Sequence, residues 1–232
     1  MSASMRVETI GNAELWLGDC REILPTLPKV DAVITDPPYF ANTHEGARGK
    51  GASTGGSHVL VDFASIDPHD WRAVIEQLVQ KSERWVVVFS DWKASAYVEG
   101  LPLIRMGVWV KNDPAPQFSG DRPASGWESI AIFHRDGRKR WAGGGRPAVW
   151  RTNIEKRGEH PTQKPAVLMD MLVSDFTESG ELVLDPFMGG GSTGIACLGN
   201  QRRFIGIERE PKYFDIACRR IEDAQRQGRL IA

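Results

Sequence analysis

Two apolar runs in this chain stop in the same way. "DAVITDPPYF" (31–40) and "ELVLDPFMGGG" (181–191) are strand-like stretches that each end in Asp-Pro. Proline has no backbone donor and pushes the residue before it into an extended conformation, so the sheet ladder ends at Asp36 and at Asp185. A continuous apolar run reads as a strand covered on both faces, which is the environment of a parallel sheet. Two such strands leave two carboxylates at the sheet's carboxyl-terminal edge, where ligands of α/β proteins bind. The first also carries carbonyls and an aromatic ring out of the sheet, groups suited to a flat, polar ligand.

The remaining segments agree with that architecture. "RVETI" and "ELWLGD" predict a hairpin turning at Gly11-Asn12, followed by a short helix around "REILPTL". "PHDWRAVIEQLVQKS" places Trp71, Val74, Ile75, Leu78 and Val79 at helical spacing. "RWVVVFSD" is a buried strand, and after a further helix "MGVWVKND" and "ESIAIFHRDG" are late strands. "KPAVLMDMLVSDFT" reads as a helix, "RFIGIE" as a strand, and an amphipathic helix from about Lys212 ends the pattern. Alternating strands and helices predict a mostly parallel α/β sheet. At 232 residues and 41% apolar content, one large domain with a sizeable core is expected. Residues 41–62 hold five glycines and few apolar side chains, and are expected to form a mobile loop.

"LVLDPFMGGGSTG" sets Gly189, Gly191 and Gly194 in GxGxxG spacing, after a strand and at the start of a helix. Glu208 ends the next strand, where an acid can bind the two hydroxyls of a ribose. Alone, the glycines describe a tight strand-to-helix turn. With the acids, two ligands compete. A dinucleotide would bring its pyrophosphate to the helix N-terminus, where Asp185 repels it. The ammonium and nearby sulfonium of S-adenosylmethionine (AdoMet) suit that acid better.

"DPPY" (36–39), "HPTQKP" (160–165) and "DPFMGGGST" (185–193) together resemble the amino-group DNA methyltransferases. Their order resembles the β-class members, with the catalytic motif first, the recognition region next and the AdoMet motifs last. The resemblance runs from about Leu17 to about Ile221. It implies a Rossmann-like AdoMet-dependent methyltransferase fold: a mostly parallel seven-stranded sheet, helices on both faces, and a late antiparallel strand. It implies one circularly permuted domain over 1–232, with a small target-recognition region at about 112–159. Asp36, Pro37, Pro38 and Tyr39 would be catalytic. Asp185, Phe187, Gly189, Gly191, Ser192 and Thr193 would form the AdoMet turn. Glu208 would take the ribose, Asp19 the adenine, and Thr162 and Lys164 the methionine end. His160 would be structural. The compact recognition region means either a short target or a second subunit, a homodimer, completing the grip on double-stranded DNA.

An exocyclic base amine is a poor nucleophile because its lone pair is delocalised into the ring. The Asp36 carboxylate and the Pro37 carbonyl are two acceptors for its two N–H groups. Fixed in place, they also stabilise positive charge developing on nitrogen. The amine is inaccessible inside a duplex, so the base must flip out, with Tyr39 stacking on it and Phe40 in support. Such stacking is worth roughly 1–3 kcal/mol. No Pro-Cys pair offers the nucleophile that a cytosine-C5 enzyme needs. In the family, Asp at the first motif position leans to adenine N6, with cytosine N4 as the alternative. An RNA methyltransferase, a catalytically silent DNA-binding regulator and an NAD-dependent oxidoreductase are weaker readings.

Net charge is −1, so any nucleic-acid surface must be local. Residues 135–157 carry eight Lys/Arg against two Asp/Glu. Arg135, Arg138, Lys139, Arg140, Arg146 and Arg151 are the candidates for DNA contact. Arg48 and Lys50, in the glycine-rich loop, would close over DNA or the flipped base. Cys20, Cys197 and Cys218 form no CxxC pair and the five histidines no ligand set, so no metal is expected. A reducing, cytosolic setting is expected, and whether a cognate endonuclease accompanies the chain is open.

Overall fold

A computed structural model describes residues 6–40, 65–118, 120–155 and 163–231. Arg48, Lys50, His160, Thr162 and the whole of the glycine-rich loop 41–62 lie outside the described residues. Among the described residues nine strands form one sheet: β1 (Arg6–Ile10), β2 (Ala13–Leu17), β3 (Val30–Thr35), β4 (Ser82–Ser90), β5 (Leu103–Lys111), β6 (Trp127–His134), β7 (Val149–Thr152), β8 (Leu182–Asp185) and β9 (Arg203–Glu208). Their order across the sheet is β1-β2-β9-β8-β3-β4-β6-β5-β7. Parallel pairing joins β2 to β9, β9 to β8, β8 to β3, β3 to β4 and β5 to β7. β6 runs antiparallel to both β4 and β5.

The α/β class and the late antiparallel strand are as expected, but the sheet has nine strands rather than seven. The β1–β2 hairpin joins the sheet through β2, and Gly11 turns it with φ +58°. β7 is the strand that no sequence signal marked. Its four residues, "VWRT", sit inside the basic segment and are too short to show an alternation.

The helices are α1 (Cys20–Ile23), α2 (Pro68–Lys81), α3 (Ala166–Phe176), α4 (Ser192–Gly199) and α5 (Pro211–Ile231). Successive residues of a strand face opposite sides, and each central strand here feeds two cores. Ala32 and Ile34 of β3, with Trp85, Val87 and Phe89 of β4, pack with Leu172 of α3, Cys197 of α4 and Phe214 of α5. Val33, Val86 and Val88 face the other way, onto Trp71, Ile75 and Leu78 of α2. This two-sided burial explains the unbroken apolar runs.

β3 connects rightward to β4, whereas β8 pairs on the other side of β3 and continues to β9. The sheet therefore has its topological switch point between β3 and β8, and a crevice opens beyond their carboxyl ends. Both Asp-Pro strand ends lie there. Because β6 is antiparallel, its first residues lie at this same edge, and its last residues lie at the opposite one.

That reversal decides where the basic segment goes. Arg135 follows the end of β6, and its N–H donates to Arg84 O near the start of β4. Trp85 Nε1 donates to Arg140 O at 2.6 Å, and Arg140 pairs with Glu178 at 2.7 Å. Arg146 pairs with Asp175 near the end of α3. From Arg84 to Ser90 the strand covers about 20 Å at ~3.3 Å per residue. Arg135, Arg138, Lys139, Arg140 and Arg146 thus sit at the edge remote from Asp36. These candidates for DNA contact therefore lie away from the catalytic motif. Arg151, on β7 one residue before Thr152, returns to the carboxyl edge, where Thr152 aligns with Lys111.

Asp175 is 5% exposed and holds this returning segment. It accepts from Trp150 Nε1 at 2.9 Å and from the Arg146 guanidinium, while its carbonyl accepts from Ala142 N. Asp175→Ala strands a buried indole N–H. It is expected to cost about 1–3 kcal/mol, read as a lowered urea midpoint at unchanged m-value.

Candidate active site

Asp36 follows the last residue of β3, and its carboxylate is held on one side only. Lys164 Nζ donates to Asp36 Oδ2 at 2.5 Å. Asp36 Oδ1 is buried and accepts no hydrogen bond among the described residues. A buried, unsatisfied carboxylate oxygen is costly unless a ligand supplies a donor. Pro37 is buried directly after it, and Pro38 and Tyr39 are half-buried.

The sequence expectation put Lys164 at the methionine end of the cofactor. Its ammonium lies among the catalytic motif: on Asp36, at 3.3 Å from Glu128 Oε2, and over the rings of Phe89 (4.8 Å) and Tyr39 (5.6 Å). Glu128, at the start of β6, also accepts from the Tyr39 hydroxyl at 2.7 Å and pairs with Lys111 Nζ at 2.7 Å. Two carboxylates and two ammoniums thus form a compact, neutral set. Burial pushes the Asp36 carboxyl up, against the pull of Lys164. Burial works against the Lys164 charge too, yet Asp36 and Glu128 outweigh it and raise its pKa. For Glu128 burial is outweighed by Lys164 and Lys111, which draw its pKa down to about 2. Phe40, expected to support the base, is 6% exposed and packs edge-on against Trp71 and Tyr97 in the core.

Glu128 and Lys111 escaped the sequence reading. Lys111 ends a strand, so a survey of polar residues at strand ends would have found it. Glu128 begins a strand, and only knowledge that β6 runs antiparallel puts it at this edge.

The second half of the site begins at Asp185, which is 3% exposed. Its oxygens accept from Thr35 Oγ1 and Thr193 Oγ1, both at 2.6 Å, and from Phe187 N at 3.1 Å. Burial raises its carboxyl to about 6, opposed by the two hydroxyls and the N–H and aided by nearby Asp36. The glycine turn follows. Gly189 has φ +49° and Gly191 φ +78°, a region that favours glycine. Gly191 precedes Ser192 at the start of α4, with no side-chain cap there. A side chain on Gly191 would meet Ala217 and Ile221 of α5 at 3.1–3.2 Å. That glycine therefore also serves helix packing.

Glu208 ends β9. Its Oε2 accepts from Gly189 N at 3.0 Å and its Oε1 from Glu210 N at 2.8 Å. Its carbonyl accepts from Gly18 N, so Asp19 lies beside it at the same edge. Asp19 caps α1 through Arg21 N at 2.8 Å and pairs with the Arg21 guanidinium at 2.5 Å. Phe187 is half-buried beside the turn, and Ser192 and Thr193 are buried in the first turn of α4. Asp19, Asp185 and Glu208 give this crevice an acidic rim. It fits a cationic nucleoside and disfavours a diphosphate.

The family model for the DNA methylases, which covers N6 and N4 amino-methylating enzymes, matches residues 30–219. The chain belongs to the DNA methylase family. The Type II methyltransferase M2.DpnII of Streptococcus pneumoniae is 28% identical over 231 residues, covering 83% of this chain and 82% of the relative. M2.MboI of Moraxella bovis is 27% identical, covering 91% of this chain and 88% of the relative. The crystal structure of the M1.HpyAVI–SAM complex is similar at a TM-score of 0.67 and 29% identity, covering 90% of this chain and 99% of that one. The PvuII cytosine-N4-specific DNA methyltransferase shares the fold, with a TM-score of 0.69 at 15% identity over 94% of this chain and 93% of that one. This DNA methylase is thus an amino-group DNA methyltransferase by family. Among its described residues no helix is long and apolar enough to cross a membrane.

Asp185 supplies a pH test of the crevice. Its folded pKa of about 6 lies above the reference value of 3.8, so the native state binds the extra proton. Its stabilising contribution is complete below about 3.8 and is lost as pH rises through about 6. The stability of the wild type minus that of Asp185→Asn should fall across this window in urea titrations.

Proposed function

We propose that this DNA methylase transfers the methyl group of AdoMet to the exocyclic N6 amine of adenine, presented as a flipped-out base in double-stranded DNA. The observation that carries this reading is the buried Oδ1 of Asp36, without a hydrogen-bond partner among the described residues, one residue from the Pro37 carbonyl and beside the acidic glycine crevice. Asp36 Oδ1 takes one N–H of the amine and Pro37 O takes the other. Together they favour a tetrahedral nitrogen with an available lone pair, and they stabilise the charge that grows on it. Lys164 favours the ionised form of the Asp36 carboxylate from its far side, against the effect of burial. Tyr39 lies against the plane of the base, its hydroxyl tied to Glu128. AdoMet, when bound, supplies the electrophilic methyl group.

Phe187, Gly189, Gly191, Ser192 and Thr193 form the turn that would receive the cofactor. Glu208 reaches its ribose, Asp19 lies toward its adenine, and the negative field of Asp185 favours its cationic end. Thr162, outside the described residues, is proposed for the methionine end by the motif alone. Asp36 as the first residue of the DPPY motif supports adenine over cytosine. Arg151 at the carboxyl edge, with Arg48 and Lys50, is proposed to contact the duplex.

Incubation with unmethylated DNA and isotopically labelled AdoMet, followed by digestion to nucleosides, should place the label in N6-methyladenine. Label in N4-methylcytosine instead would overturn the base assignment. Asp36→Ala should lower turnover by on the order of 10²-fold or more with AdoMet affinity nearly intact, and near-normal turnover would remove Asp36 from the chemistry. Glu208→Ala should weaken AdoMet binding by roughly 10–100-fold, the loss of a hydrogen bond to a charged group. Calorimetric titration reads it directly.

A further inference from the structure

We propose that Glu128 is a positioning residue for methyl transfer, dividing the Lys164 ammonium so that one oxygen of Asp36 stays open to the target amine while Tyr39 is held in place for the base. The inference rests on reading this crevice as the methyl-transfer site, and it concerns a residue outside all three sequence motifs.

The geometry has three parts. Lys164 Nζ lies 2.5 Å from Asp36 Oδ2 and 3.3 Å from Glu128 Oε2, so its donors are shared between two carboxylates. The same Glu128 oxygen accepts from the Tyr39 hydroxyl at 2.7 Å. The other Glu128 oxygen is taken by Lys111 at 2.7 Å, which fixes the carboxylate itself from the end of β5. Lys164 is 9% exposed and both rings beneath its ammonium are close, so water offers it little alternative.

Removing the Glu128 carboxylate altogether, as in Glu128→Ala, has two consequences. A buried ammonium with three donors must find acceptors. With Asp36 its remaining acceptor among the described residues, it bridges both Asp36 oxygens and occupies the Oδ1 that the amine needs. At the same time the Tyr39 hydroxyl loses its hydrogen bond to Glu128, a tether on the orientation of the ring. Neither consequence touches the glycine crevice, where Asp185 and Glu208 have their own partners. Glu128 therefore acts on the chemical step and not on cofactor affinity.

The charge set also gives a pH signature. The groups facing Asp36 are Lys164, Tyr39, Glu128 and Asp185, and those facing Glu128 are Lys111, Lys164 and Tyr39. Neutralising Glu128 removes a negative neighbour of Asp36 and leaves it the undivided ammonium. Both changes lower the Asp36 pKa, so the acid limb of the rate profile moves to lower pH.

The test uses single-turnover methylation of DNA from a methylase-deficient host, at saturating AdoMet, with Glu128→Gln, Glu128→Ala and Tyr39→Phe. Glu128→Ala should slow the step by roughly 10²-fold, the scale of a misplaced reacting group, with AdoMet Kd unchanged. Glu128→Gln keeps the volume and an acceptor for Tyr39, so it guards against a variant that fails to fold. It should be slowed less, with its acid limb displaced downward. The losses from Glu128→Ala and Tyr39→Phe should combine to less than their product. A Glu128→Gln enzyme with wild-type rate and wild-type pH profile overturns the proposal, as does a slowed Glu128→Ala whose loss lies in AdoMet affinity. Failure of the wild type to label DNA at all would overturn the methyl-transfer reading instead.

Discussion

A single buried carboxylate joins the parts of this molecule that must meet. Asp185 accepts from the last residue of β3, from the first turn of α4 and from the backbone of the glycine turn. It spans the switch point, where the sheet's connections diverge and leave a crevice. Nearly excluded from water, it must be satisfied by protein donors, so the Thr35 and Thr193 hydroxyls are held as firmly as the acid. The catalytic strand end and the cofactor turn are thereby fixed relative to each other.

The second constraint is charge balance around Asp36. A lone buried carboxylate would take up a proton and lose its value as an acceptor. Lys164 opposes that, but an ammonium paired to Asp36 alone would also block it. Glu128 resolves the conflict by sharing the ammonium, and Lys111 balances Glu128 in turn. The result is a preorganised acceptor that need not rearrange as charge develops on the amine. This neutral set sits on rigid strand ends, and its ring component, Tyr39, is tied to it by a hydrogen bond.

Much of the fold was legible because burial on two faces leaves a plain mark in sequence. β3, β4, β8 and β9 read as continuous apolar runs, and the two Asp-Pro stops located the functional edge. The glycine turn was legible too, since Gly189 and Gly191 adopt backbone angles that other residues rarely take. β7 was not, because four residues carry no period. The basic segment was read for its charge as a candidate for DNA contact, without a place in the fold. Charge density has no direction, and Glu178 and Asp175 draw Arg140 and Arg146 to the far edge.

The sequence by itself determined the strand ends, their carboxylates, the glycine turn and the family to which they belong. These are local properties, set by proline, glycine and apolar run length within a few residues. Only the tertiary structure decided which charges meet. Lys164 reaches Asp36 across 128 positions, and Tyr39 reaches Glu128 across 89. Those contacts depend on β6 running antiparallel and on α3 beginning at the carboxyl edge. Strand direction and helix placement are settled by packing the whole sheet, not by the residues that end up touching.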